Sequence, residues 1–384
     1  MSSMNFMEKL LGGAEVEWRV LGDERFVEIA NSGRTPVKAS LRVSGKTPYY
    51  GANNIQDYVE GYTHDGEFVL IAEDGSASLE SYSIQYVDGE FWANNHVHVV
   101  RGKSGLNTRF LYHCLRIVNF IPFLTGGGRA KLTKGAMVEI PIPIPCPENP
   151  EKSLEIQGEI VRILDNFTEL TAELTAELTA RKKQYNYYRD QLLSFEDGDV
   201  EWKTLGDLAE NFDSMRKPIT SGLRDPGDIP YYGASGIVDY VKGYIFDGDL
   251  LLVSEDGANL LARSTPIAFS INGKSWVNNH AHVLKFETYA ERRYVEFYLN
   301  SIDLTPYISG AAQPKLNQKN LNSISIPNPS PEEKERIVAI LDKFDALTNS
   351  ITEGLPREIE LRQKQYEHYR DLLLSFSKAE GVEA

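Results

Sequence analysis

The sequence predicts an α+β protein with an internal pseudo-two-fold repeat: two similar α/β domains separated by two long antiparallel helices of the coiled-coil type. Three observations predict it. Landmarks of the first half return in the second, each half changes character at a proline cluster, and a helical apolar pattern follows each cluster. The predicted boundaries are 1–150 and 198–330 for the domains, 151–197 for the central spacer helix and 331–384 for the C-terminal spacer helix.

The repeat runs through the whole of each half. Val-Glu-Trp at 16–18 returns at 200–202, and Tyr-Tyr-Gly-Ala at 49–52 returns at 231–234. The same correspondence relates Glu-Asp-Gly at 73–75 and 255–257, Asn-Asn-His at 94–96 and 278–280, and Lys-Leu at 131–132 and 315–316. An ordered series of duplicated landmarks indicates one fold that occurs twice.

Each domain is predicted to mix strands and helices before its proline cluster. The short apolar runs 68–72 and 250–254, bounded by Asp-Gly turns, are typical of strands, whereas 108–120 and 291–302 are typical of helices. We expect irregular structure at the clusters 140–145 and 326–329, because proline lacks an amide hydrogen and fixes φ.

Beyond each proline cluster the apolar residues recur at steps of three and four, which predicts a helix that packs along another helix. The first seam comprises Ile156, Ile160, Ile163, Phe167, Leu170 and Leu174, and its expected partner comprises Ile337, Ile340, Phe344, Leu347 and Ile351. About 40 residues correspond to a helix of roughly 60 Å. Gly-Leu-Pro at 354–356 predicts an interruption of the second helix.

A short tandem repeat lies inside the first helix. Thr171, Ala172, Glu173 and Leu174 are followed at once by Thr175, Ala176, Glu177 and Leu178. One such unit adds about 6 Å of helix and a net turn near 40°, and a heptad seam absorbs four residues as a stutter. The unit is therefore either an adjustable element of the spacer or a helical slippage repeat with no role.

The composition restricts the classes of function. With 41% hydrophobic residues and two cysteines, and with neither a signal peptide pattern nor a long apolar run, the chain is expected in the cytoplasm and not in a membrane. The net charge is −15: residues 1–150 carry 14 basic and 17 acidic side chains, and residues 198–330 carry 12 and 16. A nucleic-acid ligand would then require a locally basic surface and a partner that supplies further phosphate contacts.

The ordered blocks resemble those of the specificity subunits of type I restriction-modification systems. The similarity covers almost the whole chain in duplicate: Tyr-Tyr-Gly-Ala, Glu-Asp-Gly, Asn-Asn-His, the approach to Lys-Leu, the Ile-Pro exit and the Ile-Val-x-Ile-Leu-Asp helix. The tandem Thr-Ala-Glu-Leu units are similar to those of one subgroup of the family, in which their number tunes the gap between half-sites.

The resemblance implies a non-catalytic subunit that reads double-stranded DNA. Each domain would be a target recognition domain, two different domains would read an asymmetric bipartite target, and the helices would set its gap. Partners would be two methyltransferase subunits, which bind S-adenosylmethionine and methylate adenine, and restriction-motor subunits, which use ATP and Mg²⁺. No cofactor is expected in this chain.

Candidate DNA-contacting residues lie before each proline exit and after the Tyr-Tyr-Gly-Ala blocks. Glycines allow a close backbone approach, and Arg, Asn and Gln can contact bases through two hydrogen bonds. The candidates are Asn53, Asn54, Arg129, Lys131, Lys134, Ser235, Gln313, Lys315, Asn317, Gln318 and Lys319. A surface turn is the alternative explanation for these segments, and positions identical in both halves fit a structural role better.

Other classes of function remain as alternatives. The histidine pairs 96/98 and 280/282 would suit a metal-dependent hydrolase, although no third ligand is evident in the sequence and structural histidines fit better. Gly-Lys-Ser/Thr triplets at 45–47, 102–104 and 273–275 lack the upstream glycine of a phosphate-binding loop. A protein-binding scaffold is the third possibility, and the tyrosines at 185, 187 and 188 fit a helix-docking face better than base stacking.

Overall fold

The computed structural model describes residues 9–126, 130–196, 198–310 and 313–376, which form two compact units. The first unit extends to Glu173 and resumes at Ile359, and the second comprises Leu174–Glu358. Both units contain strands and helices, and one helix of 43 residues crosses the boundary between them. The predicted α+β class with a long helix is confirmed.

The first unit begins with nine strands and two helices before the long helix. They are β1 Val16–Val20, β2 Val27–Ile29, β3 Ser44–Tyr50, β4 Ile55–Val59, β5 Phe68–Ala72, β6 Ile84–Val87, β7 Trp92–Ala93, β8 Val97–Gly102, α1 Thr108–Leu115, α2 Lys134–Met137, β9 Pro141–Pro145 and α3 Pro150–Leu192. The sheet orders are β2-β8-β5-β6, β4-β3-β7 and β1-β9. The predicted helix 108–120 ends earlier, at Leu115.

The second unit repeats this order. Its elements are β10 Glu201–Thr204, α4 Leu205–Leu208, β11 Glu210–Asn211, β12 Pro226–Gly233, β13 Gly236–Val241, β14 Phe246–Asp247, β15 Leu250–Ser254, α5 Asn259–Ala262, β16 Ala268–Ile271, β17 Lys274–Val277, β18 Ala281–Lys285, α6 Tyr289–Ser301, α7 Gln318–Asn322, β19 Ser325–Asn328, α8 Pro331–Asn349 and α9 Gly354–Leu374, whose last residues belong to the first unit. The sheet orders are β11-β18-β15-β16, β13-β12-β17-β14 and β10-β19.

The expectation of irregular structure at the proline clusters is wrong. Strand β9 pairs antiparallel with β1, and β19 pairs with β10. In β9 the prolines occupy alternate positions, while Ile140 and Cys146 hydrogen-bond to the β1 side through their backbone. The missing amides therefore fall on the unpaired edge, where proline is tolerated, and Ile142 and Ile144 fill the core.

Only part of each apolar seam is buried in the core of its own unit, and Ile351 is 79% exposed. The pairing of the two seams stays a prediction. Ile156 and Ile160 join the core of the first unit, and Ile337 joins that of the second. The helix contacts are aromatic: Phe167 stacks on Tyr369 in the first unit, and Phe344 contacts Tyr185 and Tyr188 in the second.

The second helix is interrupted as predicted. Helix α8 ends at Asn349 and α9 begins at Gly354. Gly354 has φ +79°, and a Cβ there would lie 2.3 Å from the carbonyl oxygen of Ala346, so glycine is required. Pro356 falls in the first turn of α9, where its missing amide leaves no helical hydrogen bond unmade.

A partly buried aspartate ties each unit's helix to its globule. Asp165 of α3 accepts hydrogen bonds from Arg109 Nε at 3.0 Å and His113 Nε2 at 2.9 Å. Asp342 of α8 accepts from Arg293 Nε at 2.9 Å and from the Tyr289 hydroxyl at 2.8 Å. The repeated Ile-Leu-Asp sequence thus ends in a carboxylate that fixes the helix against α1 or α6.

A histidine lies at the centre of each four-stranded sheet. His98 and His282 donate from Nε2 to the carbonyl oxygens of Leu132 and Leu316, at 2.8 and 2.7 Å. Their Nδ1 atoms face different residues: the Asn31 amide nitrogen at 3.0 Å in the first unit and the Asp213 carboxylate at 2.5 Å in the second. This network assigns a neutral imidazole to His98, whereas a carboxylate faces Nδ1 of the histidine in the second unit.

We predict that Asp165→Asn lowers the free energy of unfolding by about 1–2 kcal/mol, because the buried His113 and Arg109 lose a charged acceptor. Urea unfolding followed by circular dichroism measures the change. Glu159→Gln is the matched control on the same helix: its pair with Arg162 is exposed and screened by solvent, so we expect a much smaller change. Equal effects of the two variants would contradict the role of Asp165.

The two histidines also predict a difference in acid sensitivity. Burial lowers the pKa of His98, so the unfolded chain binds the extra proton first and the stabilisation is lost as pH falls below about 6.5. Asn31→Asp supplies the carboxylate that Asp213 supplies in the second unit and should reduce this loss. Hydrogen exchange of β8 at pH about 7.5 and 5.5 tests this.

The reciprocal variant, Asp213→Asn, serves as the control because it copies the first unit's arrangement. It should make β18 more sensitive to acid than in the unmodified chain. The same acid response of β8 with Asn or Asp at position 31 would contradict the assignment.

Candidate DNA interface

The segments before the proline exits are closed loops in both units. The backbones of Thr125 and Lys131 exchange two hydrogen bonds of 2.9 and 2.8 Å, and those of Ser309 and Lys315 exchange two of 2.8 Å. In the sequence, five residues separate the two members of each closing pair. Gly310 has φ +85°, and a Cβ there would lie 2.4 Å from the Gln313 carbonyl oxygen, so this loop requires glycine at its first position.

The loops hold some of the predicted contact residues. Gln313 is exposed, and the amide of Gly257 donates to the neighbouring Pro314 carbonyl at 3.2 Å. Arg129, the matching candidate of the first loop, lies outside the described residues together with Gly127 and Gly128. The loop sequences differ, Gly-Gly-Gly-Arg-Ala against Gly-Ala-Ala-Gln-Pro, while their closing pairs are alike.

Lys131 and Lys315 are each bound to a carboxylate. Lys131 Nζ lies 3.0 Å from Glu73 Oε1, and Lys315 Nζ lies 3.0 Å from Glu255 Oε1. The other oxygen of each glutamate faces an arginine, Arg34 or Arg216, in both cases at 2.6 Å. Each glutamate thus binds one lysine at the end of a loop and one arginine that lies between two strands of its unit.

These glutamates are ionised despite their burial. Burial alone would raise the pKa of Glu73, but the hydrogen bonds from Arg34 and Lys131 outweigh it and hold the pKa below its ordinary value. The pKa of Glu255 is lowered in the same way, against the effect of burial, by Arg216 and Lys315. The lysine ammonium groups are therefore already engaged in ion pairs within the protein.

The candidates near the Tyr-Tyr-Gly-Ala blocks are exposed at the turns of two hairpins. The hairpins β3–β4 and β12–β13 present Asn54 and Ser235 at their turns. Asn53 is also exposed, but its amide is engaged: Nδ2 donates to the Gly75 carbonyl and Oδ1 accepts from the Ala77 amide, both at 2.8 Å. Asn53 thus joins the hairpin to the turn after Glu73.

The remaining candidates lie at the starts of two short helices. Thr133 and Asn317 are the N-caps of α2 and α7, so the Asn317 side chain is already used to accept from Asn320 N at 2.9 Å. Gln318 and Lys319 are exposed at the start of α7. Lys134 lines an open concavity of about 520 Å³ with Glu24, Glu28 and Glu139, surroundings that disfavour a phosphate.

Three residues of the second unit converge as a metal site would require. Asp213, Glu255 and His282 each bring one donor atom within 4.8 Å of the others. Arg216 Nη1 bonds Glu255 at 2.6 Å and Nη2 lies 3.3 Å from Asp213, so a guanidinium already balances both carboxylates. In the first unit Asn31 occupies the place of Asp213, and the set loses one of its carboxylates.

His96 and His280 lie outside the strands that hold the other member of each pair. They precede β8 and β18, and their Nδ1 atoms bond Asp74 at 2.7 Å and Asp256 at 2.9 Å. The two histidines of a pair therefore bind different partners, an aspartate in a turn and a carbonyl in the core. This arrangement accounts for all four histidines through structural contacts.

Sequence reasoning missed the two arginines and an exposed apolar surface. Arg34 and Arg216 precede the Tyr-Tyr-Gly-Ala blocks by the same spacing in both halves, a signal that was available. The exposed side chains on and beside the hairpins also recur in pairs. They are Leu41 and Leu223, Ile55 and Ile237, Tyr58 and Tyr240, and Tyr62 and Tyr244. Their exposure depends on the pairing of β3 with β4 and of β12 with β13, which single motifs do not reveal.

In the described residues, no helix is both long and apolar enough to cross a membrane. The loops and hairpins instead place polar and aromatic side chains on the surface of two similar units.

Comparison with known proteins identifies the family. The family model for the type I restriction modification DNA specificity domain matches residues 15–181 and again 198–361. A putative type I restriction enzyme specificity subunit of Haemophilus influenzae is 46% identical and covers 98% of this chain and all of the relative. The EcoR124I/EcoR124II specificity subunit of Escherichia coli is 37% identical, and the similarity spans both full lengths.

The fold agrees with solved structures. The crystal structure of a type I restriction-modification S subunit from M. genitalium aligns with a TM-score of 0.66 at 15% identity, covering 95% of this chain and 98% of the other. A chain from a study of type I complex assembly aligns with a TM-score of 0.55 and covers 94% and 97%. The chain belongs to the family of type I restriction-modification specificity subunits, which recognise DNA sequence and leave catalysis to other subunits.

Proposed function

We propose that this chain reads an asymmetric bipartite DNA target and directs adenine methylation and restriction by its partner subunits. The observation that carries the proposal is that the two loops are closed by equivalent backbone pairs and differ in the residues between them. The residues that close the loops pair in the same way in both units, while four of the five residues between them differ. Two loops that are closed in the same way but differ in sequence suit two different half-sites.

The main candidates for base contacts are the side chains that differ between the units. Arg129 and Gln313 belong to the loops, and Asn54 and Ser235 to the hairpin turns. An arginine can bind guanine and a glutamine can bind adenine through two hydrogen bonds in the major groove. Lys131, Lys134, Lys315 and Lys319 would serve the loops or the phosphate backbone and carry little sequence information.

The charges support a dependence on partner subunits. The chain carries a net charge of −15, and the loop lysines are paired with glutamates. Affinity for the DNA backbone requires cations that are free to replace counterions. We therefore assign most of the phosphate contact to two methyltransferase subunits, which bring S-adenosylmethionine, joined by restriction-motor subunits that bring ATP and Mg²⁺. The complex would act in the cytoplasm, where it meets DNA.

The Thr-Ala-Glu-Leu units would set the gap between the half-sites. Thr171 to Leu178 lie in the interior of α3. The Thr171 hydroxyl donates to the carbonyl oxygen of Phe167 at 2.8 Å, and that of Thr179 to Thr175 at 2.9 Å. These two hydroxyls thus bond one turn back along the same helix, and Glu177 pairs with Arg181 one turn ahead. Contacts of this kind lie within α3, so the number of Thr-Ala-Glu-Leu repeats can change without a partner from another element.

The test of the proposed function is to co-express the chain with its cognate methyltransferase subunit and map methylated adenines across random DNA. We expect a gapped two-part motif that disappears when this chain is omitted. Methylation without this chain, or a continuous palindromic motif, would contradict the proposal.

Insertion of one further Thr-Ala-Glu-Leu unit after Leu178 should lengthen the unread gap by about one base pair, because the net turn near 40° is close to the twist of one pair. The same methylation map measures the gap. An inserted Ala-Ala-Glu-Leu unit is the control: equal length with a different first residue should give the same gap. An unchanged gap in both variants would contradict a ruler function.

A further inference from the structure

The acidic residue after the central strand of each unit is bound from three sides in the same way. Glu73 directly follows β5, and Glu255 follows β15, two strands whose residues are all buried. Besides the two cations on its side chain, each glutamate accepts the amide of Leu132 or Leu316 at its own carbonyl, at 2.7 Å. The residue that closes the loop and the residue after it are thus both held by one glutamate.

The arginine connects the glutamate to the neighbouring strand. Arg34 Nη1 also donates to the carbonyl oxygen of Val97 in β8 at 2.8 Å, and Arg216 Nη1 donates to that of Ala281 in β18 at 2.8 Å. The chain of contacts therefore runs from the loop lysine through the glutamate and the arginine to the sheet. Each step has the same atoms and nearly the same length in both units.

We propose that Glu73 and Glu255 are positioning residues for DNA recognition, and that Lys131 and Lys315 hold the loops in place and do not bind phosphate. The inference rests on the proposed reading of DNA by these loops. The four residues would position the loops in the same way at both half-sites. The residues between the two members of each closing pair would distinguish one half-site from the other.

The burial of the two carboxylates argues against a phosphate role for the lysines. The side chains of Glu73 and Glu255 are 16% and 11% exposed, whereas those of the lysines are about half exposed. A lysine that turned to a phosphate would leave Oε1 of a largely buried carboxylate without the cation that binds it, while the arginine kept the other oxygen. A buried acceptor without a donor is costly, so the ammonium group stays with the glutamate.

The test uses the full chain in complex with its methyltransferase subunit and compares Glu255→Gln with Glu73→Gln. Each variant keeps the size and backbone bonds of the glutamate and removes its charge. We expect each to lose about tenfold in discrimination against mismatched bases at one half-site, the equivalent of a single charge-assisted hydrogen bond. Glu255→Gln should affect one half-site and Glu73→Gln the other, measured as methylation rates on singly mismatched targets.

Two outcomes of this comparison would overturn the inference. One is unchanged discrimination in both variants. The other is an equal loss at both half-sites that parallels a loss of folded protein in thermal unfolding, because a merely structural role predicts no preference for one half-site. If the unmodified complex itself shows no bipartite target, the proposed function fails, and that result is separate from the comparison of variants.

The salt dependence of DNA binding tests the lysines. Lys315→Met should leave the slope of log Kobs against log salt unchanged, whereas loss of a phosphate contact would reduce its magnitude by about 0.9. Lys315→Arg keeps a cation for Glu255 and should retain discrimination at the half-site that Lys315→Met weakens. A reduced slope for Lys315→Met, or no rescue by Lys315→Arg, would overturn the assignment.

Discussion

An ionised glutamate directly after a fully buried strand joins the loop to the sheet in each unit, and the placement of the loop depends on it. Strands β5 and β15 are fully buried, so the residues that follow them have little freedom. Glu73 and Glu255 bind a lysine at the end of each loop and an arginine that contacts the adjacent strand. The fixed position of each glutamate therefore fixes the loop as well. A loop placed by a buried sheet can change its inner residues without losing its position.

The helices are fixed to the globules by a second charged contact. Asp165 and Asp342 bind arginines of α1 and α6, and the same helices bury Ile160 and Leu341 in the two cores. Carboxylate and apolar contact together set the rotation of each helix about its axis. A change of length in the exposed part of α3, where the Thr-Ala-Glu-Leu units lie, leaves both attachments intact.

The repeat, the α+β class and the helix break at 350–353 could be predicted, since they follow from local patterns. The prediction of irregular structure at the proline clusters was wrong because it considered each proline alone. The alternation of proline and isoleucine in Pro141–Pro145 leaves every second amide free to pair. The ion pairs of Lys131 and Lys315 were not predictable, because their partners lie about sixty residues away and no spacing links them. Long-range charge pairing requires the folded sheet.

The differences between the two halves are as informative as their identities. Positions that hold the frame are repeated, among them Arg34 and Arg216, whereas the inner loop residues diverge. The exchange of Asn31 for Asp213 shows that even the repeated positions tolerate a change of charge beside the buried histidine. In both units the lysine shares one glutamate with an arginine, so each lysine is committed to a contact within the protein. Under the proposed function, the inner loop residues can then diverge without disturbing the contacts that hold the loop, because side chains that contact bases carry the sequence information and contacts that only position the protein do not.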